Sequence, residues 1–225
     1  FEELASNHSL PVLGLRPGRT HTVLVSAMDD LGETVFQKSL EVVTGPLPEN
    51  FPQLEVTADP GLMEPGVTLF ESGGFLIMVD ETGEVVWYYR EPGSTSFDRD
   101  VRRMPNGNLL LLLPVHNIIE IDMLGNTIRS WYTARTSEGS TGGTPVDAAA
   151  FHHEVFAMEN GNFLALSSEL REFPDYPSST TNPNAPLETA NVAGDAIVEF
   201  APDGTVVNEY HLLDIIDPYR LGYSS

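Results

Sequence analysis

The stretch Phe151-His152-His153-Glu154 sets two imidazoles and a carboxylate side by side, shortly ahead of an Asn160-Gly161 turn. With an ordinary pKa of about 6.5, an imidazole can donate, accept or carry charge near neutrality, which suits proton transfer or neutralisation of an anion. Metal ligation is the other chemistry open to such a pair. Neighbours on a strand point apart, however, and no further His or Cys spacing completes a site, so no metal is expected. The stretch by itself does not separate an active site from two surface histidines. The elements around it must decide.

Charge narrows the choice of ligand. The chain has 11 Lys and Arg against 33 Asp and Glu in 225 residues, a formal net charge of -22. Nucleic acid or an anionic membrane surface is repelled by that field. A small anion is repelled too beyond a screening length of about 8 Å, so only a local cationic pocket can hold one. Arg99, Arg102, Arg103 and Arg171 fall near the level of the histidine pair, and with it they favour an anionic ligand. The acidity otherwise reads as a solvated surface. Cysteine is absent, which excludes disulfides, thiolate metal sites and cysteine nucleophiles. The longest apolar run is broken by Pro114 and His116 and carries Glu120, so no membrane span is expected. Phe1, preceded by neither an initiator Met nor a signal-like run, reads as the start of a processed or trimmed piece.

The elements that position the histidines come from a repeat. "VRRMPNGNLLLLL…NIIEIDMLGNTIRSWY" matches "VFAMENGNFLALSSE…DAIVEFAPDGTVVNEY", with Asn106-Gly107-Asn108 against Asn160-Gly161-Asn162, Glu120 against Glu199 and Gly125 against Gly204. An earlier copy, "GVTLFESGGFLIMVDETGEVVWYY", carries Gly83 in the Gly125 position. Each unit reads as strand, turn, strand, variable loop, strand, Gly turn, strand. Asn-Gly is expected to form a tight hairpin in which both residues take positive φ. Four antiparallel strands repeated at this period describe a propeller blade. Three blades leave a ring open, so a partner chain, a homo-oligomer or further residues are expected to complete it. In a propeller the first strand of a blade lines the central channel. His152 and His153 fall at its start, corresponding to Asp98 and Arg99 one unit earlier, and Glu154 corresponds to Asp100. Alternation sends one imidazole to the channel and the other toward the neighbouring blade. The run "FPDYPSSTTNPNAPLETANVAG", rich in Pro, Asn, Ser and Thr, is expected to be a long surface loop.

Ahead of the repeat, residues 8–44 alternate apolar and polar positions around the turn Asp29-Asp30-Leu31-Gly32, and resemble the last three strands of a fibronectin type III sandwich. His21 stands where that family usually has a tyrosine. The expected organisation is therefore all-β: a partial Ig or fibronectin III-like β-sandwich over 1–45, a Pro-rich extended linker over 46–53, and the first blades of a β-propeller over 54–225.

From about residue 50 to 222 the segments "PGVTLFE…FLIMVDETGEVVWYY", "VRRMPNGNLLLLL", "FHHEVFAMENGNFLALSSE", "DAIVEFAPDGTVV" and "LLDIIDPYR" occur in an order that resembles the bacterial arylsulfate sulfotransferase family. The resemblance implies a small sandwich ahead of a six-bladed propeller, and a periplasmic or secreted transferase. Such a sulfotransferase moves a sulfuryl group from an aryl sulfate to a phenol through a sulfated histidine, with no cofactor and no nucleotide sulfate. It places the family's histidine motif on His152 and His153 as catalytic residues, with Glu154 where an aspartate is common. From their position at the level of that motif, Arg99, Arg171 and Glu154 are the expected substrate contacts. The resemblance puts the sulfated histidine on a later blade, so this chain is expected to be a fragment that cannot complete the reaction alone. The rival expectation is a non-catalytic extracellular propeller, a binding or structural module in which the histidines are incidental.

Overall fold

In the computed structural model, residues 7–57, 59, 61–92, 100–114, 117–136 and 142–219 are described. Their regular elements are strands apart from one helical turn, α1 (Leu212–Ile215), so the chain is nearly all-β and built of several sheets. It divides into two compact units, residues 1–97 and 98–225. Arg99 and His116 lie outside the described residues.

In the first unit, β1 (Thr20–Met28) and β2 (Thr34–Val43) pair antiparallel as a two-stranded sheet. The sequence suggested three sandwich strands, but residues 7–17 contain no strand. Pro11 lacks a donor and Gly14 sits at φ 81, which breaks an extended ladder. Leu24, Val25, Phe36 and Leu40 are exposed, so the described residues supply no sandwich core. His21 nonetheless anchors the start of β1, its Nε2 lying 2.8 Å from the Arg16 carbonyl.

The second sheet of this unit is antiparallel, in the order β3 (Val67–Ser72), β4 (Phe75–Asp80), β5 (Val85–Tyr89). Its core of Phe75, Ile77 and Val85 is covered by Leu47, Phe51 and Leu54. The Pro-rich segment after β2 is therefore packed down as well as extended, with the Phe51 ring 5.1 Å from that of Phe75. Arg16 grips Asp80 Oδ2 through Nε and Nη2, at 2.9 and 2.6 Å, and Arg19 reaches Glu84 at 2.6 Å. Burial alone would raise the Asp80 pKa. Hydrogen bonds from Thr82, Arg16 and the Glu84 backbone outweigh it and hold the carboxyl at about 2.

In the second unit one sheet has the order β10-β9-β8-β7-β6, from β6 (Val101–Arg103), β7 (Leu109–Leu113), β8 (Asn117–Ile121), β9 (Thr127–Thr133) and β10 (Thr144–Val146). The first four are antiparallel, and β10 adds a parallel edge strand beside β9. The other sheet runs in chain order: β11 (His152–Ala157), β12 (Phe163–Pro177), β13 (Leu187–Phe200) and β14 (Val206–His211). Leu110, Leu112, Ile118 and Trp131 of the first pack on Phe151, Val155, Phe163 and Phe200 of the second. Trp131 lies 4.7 Å from Phe163, and its indole N–H donates to the Pro202 carbonyl at 2.9 Å. The repeat places Leu164, Leu166, Ile197 and Tyr210 at the positions of Leu110, Leu112, Ile118 and Trp131. On the second sheet this face is not buried, and Tyr210 and the neighbouring Phe156 are exposed.

Two buried carboxylates repeat with the sheets. Glu120, 1% exposed, accepts the Nδ2 groups of Asn106 and Asn108 at 3.0 and 2.5 Å and Arg129 Nε at 2.6 Å. Glu199 accepts Asn162 Nδ2 at 2.6 Å and Asn208 Nδ2 at 2.7 Å. Among the described residues six turns also share one pattern, beginning at Asp29, Asp80, Met104, Asp122, Met158 and Ala201: the first residue bonds the fifth, and a glycine at the fourth bonds back to the first. Those glycines have φ between 79 and 88. These are three-residue loops closed by a glycine bulge, not the two-residue turns suggested by Asn-Gly. Asn106 and Asn160 do not take positive φ. Their side chains instead accept the N–H of Asn108 and Asn162, each at 3.0 Å.

The expected long loop is a second correction. β12 continues to Pro177 and β13 starts at Leu187, leaving only 178–186 as the connection. Prolines are tolerated because this arm is a two-stranded ribbon with free outer edges, and Pro174 falls at the register break between Phe173 and Tyr176. Phe173, Tyr176 and Tyr219 pack together along it.

Gly161 and Gly204 have φ of 88 and 84, but a Cβ on Gly204 would lie 2.2 Å from the Pro145 carbonyl oxygen whereas Gly161 faces open space. Gly161→Ala is expected to cost about 1 kcal/mol, from backbone strain alone. Gly204→Ala should cost at least about 2 kcal/mol more. Equal losses in denaturant unfolding would contradict this packing. Asp80 gives a pH test. A carboxylate held below its unfolded pKa of about 3.9 stabilises the fold above that value and stops doing so as pH falls through about 2. The stability gap between wild type and Asp80→Asn should narrow from pH 5 to pH 3, and a constant gap would count against the Arg16 and Thr82 contacts.

Candidate functional site

β11 enters its sheet irregularly. His152 pairs with Leu166 but the next pair is Val155 with Ala165, so His153 and Glu154 are extra residues in a bulge. His153 has φ 58, the one positive value for a non-glycine among the described residues. The cause is parity. Phe151 and Val155 are both fully buried in the core, and a regular strand would turn His153 to that same face. The bulge takes the imidazole out of the core and leaves it exposed. It also overturns the expected alternation: the two rings lie together, centroids 5.0 Å apart and nearly perpendicular, instead of pointing to opposite sides.

His152 is 21% exposed. Its Nε2 lies 3.0 Å from the Ser167 carbonyl oxygen and 3.5 Å from Asp195 Oδ1, while Nδ1 is buried without a hydrogen-bond partner. Ser167 also fixes the approach to the site, its hydroxyl accepting the Ala150 N–H at 3.1 Å. Glu154, 65% exposed, receives Arg102 Nη2 at 2.8 Å, and Arg102 Nε bonds Asp100 at 2.8 Å. Asp100 in turn accepts the Val155 N–H at 3.2 Å, so β6 and the residue before it brace the bulge from the neighbouring sheet. Hydrogen bonding to Asp100 raises the Arg102 pKa further.

The expected cationic cluster does not assemble among the described residues. Arg102 is engaged by two carboxylates. Arg103 is exposed on β6. Arg171 lies five positions along β12 from the partner of His152, about 17 Å away on a strand. Its Nε bonds Glu169 at 2.7 Å and its Nη1 bonds Asp214 at 2.5 Å. Glu169 also accepts the Leu213 N–H at 3.0 Å and has His211 Nδ1 at 3.1 Å, outside hydrogen-bond direction. This network ties α1 to the arm. An apolar hollow of about 180 Å³, lined by Phe156, Leu164, Leu166 and Ile197 with Glu154 at its rim, opens beside the pair, but it belongs to the uncovered sheet face. No group of three or more His, Cys, Asp or Glu side chains suited to a metal occurs among the described residues.

Sequence reasoning missed Asp195 and Ser167, which the β12–β13 register brings to His152. No local signal marks them. The bulge carries a stability prediction: glycine is at ease at φ 58, so His153→Gly should stabilise the unit by about 1 kcal/mol while His153→Ala gives little or no gain. Denaturant unfolding checks this, and destabilisation by glycine would contradict the strained backbone.

No curated protein matches this chain. Among solved structures it is similar to a protein of unknown function from Bacteroides caccae, at 17% sequence identity and a TM-score of 0.37, over 88% of this chain. It spans 56% of that chain. The family model described as Arylsulfotransferase (ASST) matches residues 50–224, and the chain belongs to that family.

Proposed function

We propose that this chain supplies early blades of a β-propeller in a periplasmic or extracellular protein that moves a sulfuryl group from an aryl sulfate to a phenol by way of a sulfated histidine. Family membership supports the reaction class. One observation in the site carries it: a strained bulge holds the two imidazoles 5.0 Å apart at the start of a strand. Strain of this kind persists where surrounding packing over-determines it, and it clusters at working sites.

In this reading His152 stands toward the phenol, beside His153, which meets the transferring sulfuryl group. N–H donors placed beside its oxygens neutralise charge that builds as sulfur passes between oxygens, and a neutral imidazole accepts a phenolic proton. Glu154 holds Arg102, which braces the bulge instead of meeting the anion. Arg171 serves the anion only if Glu169 and Asp214 release it. Arg99 keeps its place as a candidate contact. The histidine that carries the sulfuryl group belongs to a later blade, and the exposed face around Phe156 and Tyr210 is where a further sheet or a partner chain packs. No helix among the described residues is long and apolar enough to cross a membrane.

The second reading, a non-catalytic binding or structural propeller, draws on the carboxylates that already engage Arg102 and Arg171. The natural protein carrying these residues separates the two. Mixed with 4-nitrophenyl sulfate and a phenol acceptor, it is expected to release 4-nitrophenol, and His152→Ala or His153→Ala should each lower kcat/KM by about 10²- to 10⁴-fold. Absence of release, or both variants within about twofold of wild type, would favour the binding module.

A further inference from the structure

The geometry points to a fixed tautomer of His152, with the proton on Nε2, Nδ1 left as the nitrogen that meets a ligand hydroxyl, and Asp195 as the residue that positions the ring. The naming of that hydroxyl as phenolic rests on the proposed function. The tautomer does not.

A carbonyl oxygen only accepts, so Nε2, 3.0 Å from the Ser167 oxygen, must be the donor. Asp195 Oδ1, 3.5 Å from the same nitrogen, is too long for a strong hydrogen bond but places a negative charge on that side of the ring. In the neutral imidazole Nδ1 then carries the lone pair. It is buried and lacks a partner among the described residues. A buried acceptor of this kind is satisfied only by a donor. A hydroxyl donor satisfies Nδ1 as it stands. A sulfuryl oxygen, itself an acceptor, does so only after Nδ1 has gained a proton.

The pair therefore divides its work. His152 meets the acceptor phenol, and exposed His153 is left for the sulfuryl oxygens. When the phenolic proton moves, the O–H bond breaks, an Nδ1–H bond forms, and the resulting imidazolium faces the Asp195 carboxylate. The other charged groups packed at this corner are Asp100 and Arg102 beside β11 and Glu154 on β11 itself, and Arg102 links the two carboxylates.

Long-range ¹H–¹⁵N correlation on histidine-labelled protein tests the assignment, with His152 identified by His152→Gln. With its imidazole neutral, His152 is expected to show a protonated Nε2 and a pyridine-type Nδ1. An Nδ1–H pattern would overturn the tautomer without any appeal to activity. Asp195→Asn should keep the tautomer and lower kcat with a phenol acceptor while leaving KM for the aryl sulfate within about twofold of wild type. An unmoved kcat would overturn the positioning role. Adding phenol should shift the His152 Nδ1 resonance and leave His211 unchanged. If the tautomer is right and phenol moves neither, the fault lies with the proposed ligand and not with the geometry.

Discussion

Two buried carboxylates among the described residues, Glu120 and Glu199, fix the strand register of the second unit through the donors that surround them. Side chains from the turn before one strand and from a neighbouring strand converge on each. Burial would raise the Glu120 pKa, but hydrogen bonds from Asn108, Asn106 and Arg129 outweigh it, and Asn162 and Asn208 lower that of Glu199. An ionised carboxylate in such a place is tolerable only while these donors surround it. A slip of one residue in the β7–β8 or β12–β13 pairing would turn the glutamate to the other face and strand the asparagines. Register is thus set by a polar requirement, and apolar residues can follow it with less precision of their own.

Register then decides where the histidines go. With β12 fixed against β13, Phe163 and Phe200 face the neighbouring sheet, and Phe151 and Val155 must follow them into the same core. The strand can bury both only by ejecting what lies between. That requirement stores backbone strain at His153, sets the His152 ring against the Ser167 carbonyl, and brings the two imidazoles together. Asp100 and Arg102, delivered by the first sheet of the unit, hold the ejected loop from outside.

Much of this was legible in the sequence because it depends on local patterns. Alternating apolar residues, recurrent glycines after acidic or asparagine positions, and the matched pairs Glu120 with Glu199 and Asn108 with Asn162 marked the strands, the turns and the repeat. Features that depend on long-range pairing were not legible. The arm read as a loop because its composition favours turns, and only antiparallel partnership makes a strand of "FPDYP". Asp195 had no signature near His152. The bulge did leave a trace: a histidine midway between two large apolar residues at strand spacing would have to enter the core. The carboxylates that engage Arg102 and Arg171 also lie far from them in sequence or have no local signature. With 33 acidic residues against 11 basic ones, carboxylates are plentiful, and both Arg102 and Arg171 have one beside them.

The central claim is that His152 and His153 form one working pair because the strand is forced to bulge between them. A crystal structure of the natural protein with a bound aryl sulfate tests it most directly. The account predicts a positive φ at His153 and a sulfuryl group with oxygens within about 3 Å of at least one nitrogen of the pair. A regular β11 with the rings on opposite faces, or the sulfuryl group held elsewhere with both histidines unoccupied, would contradict it.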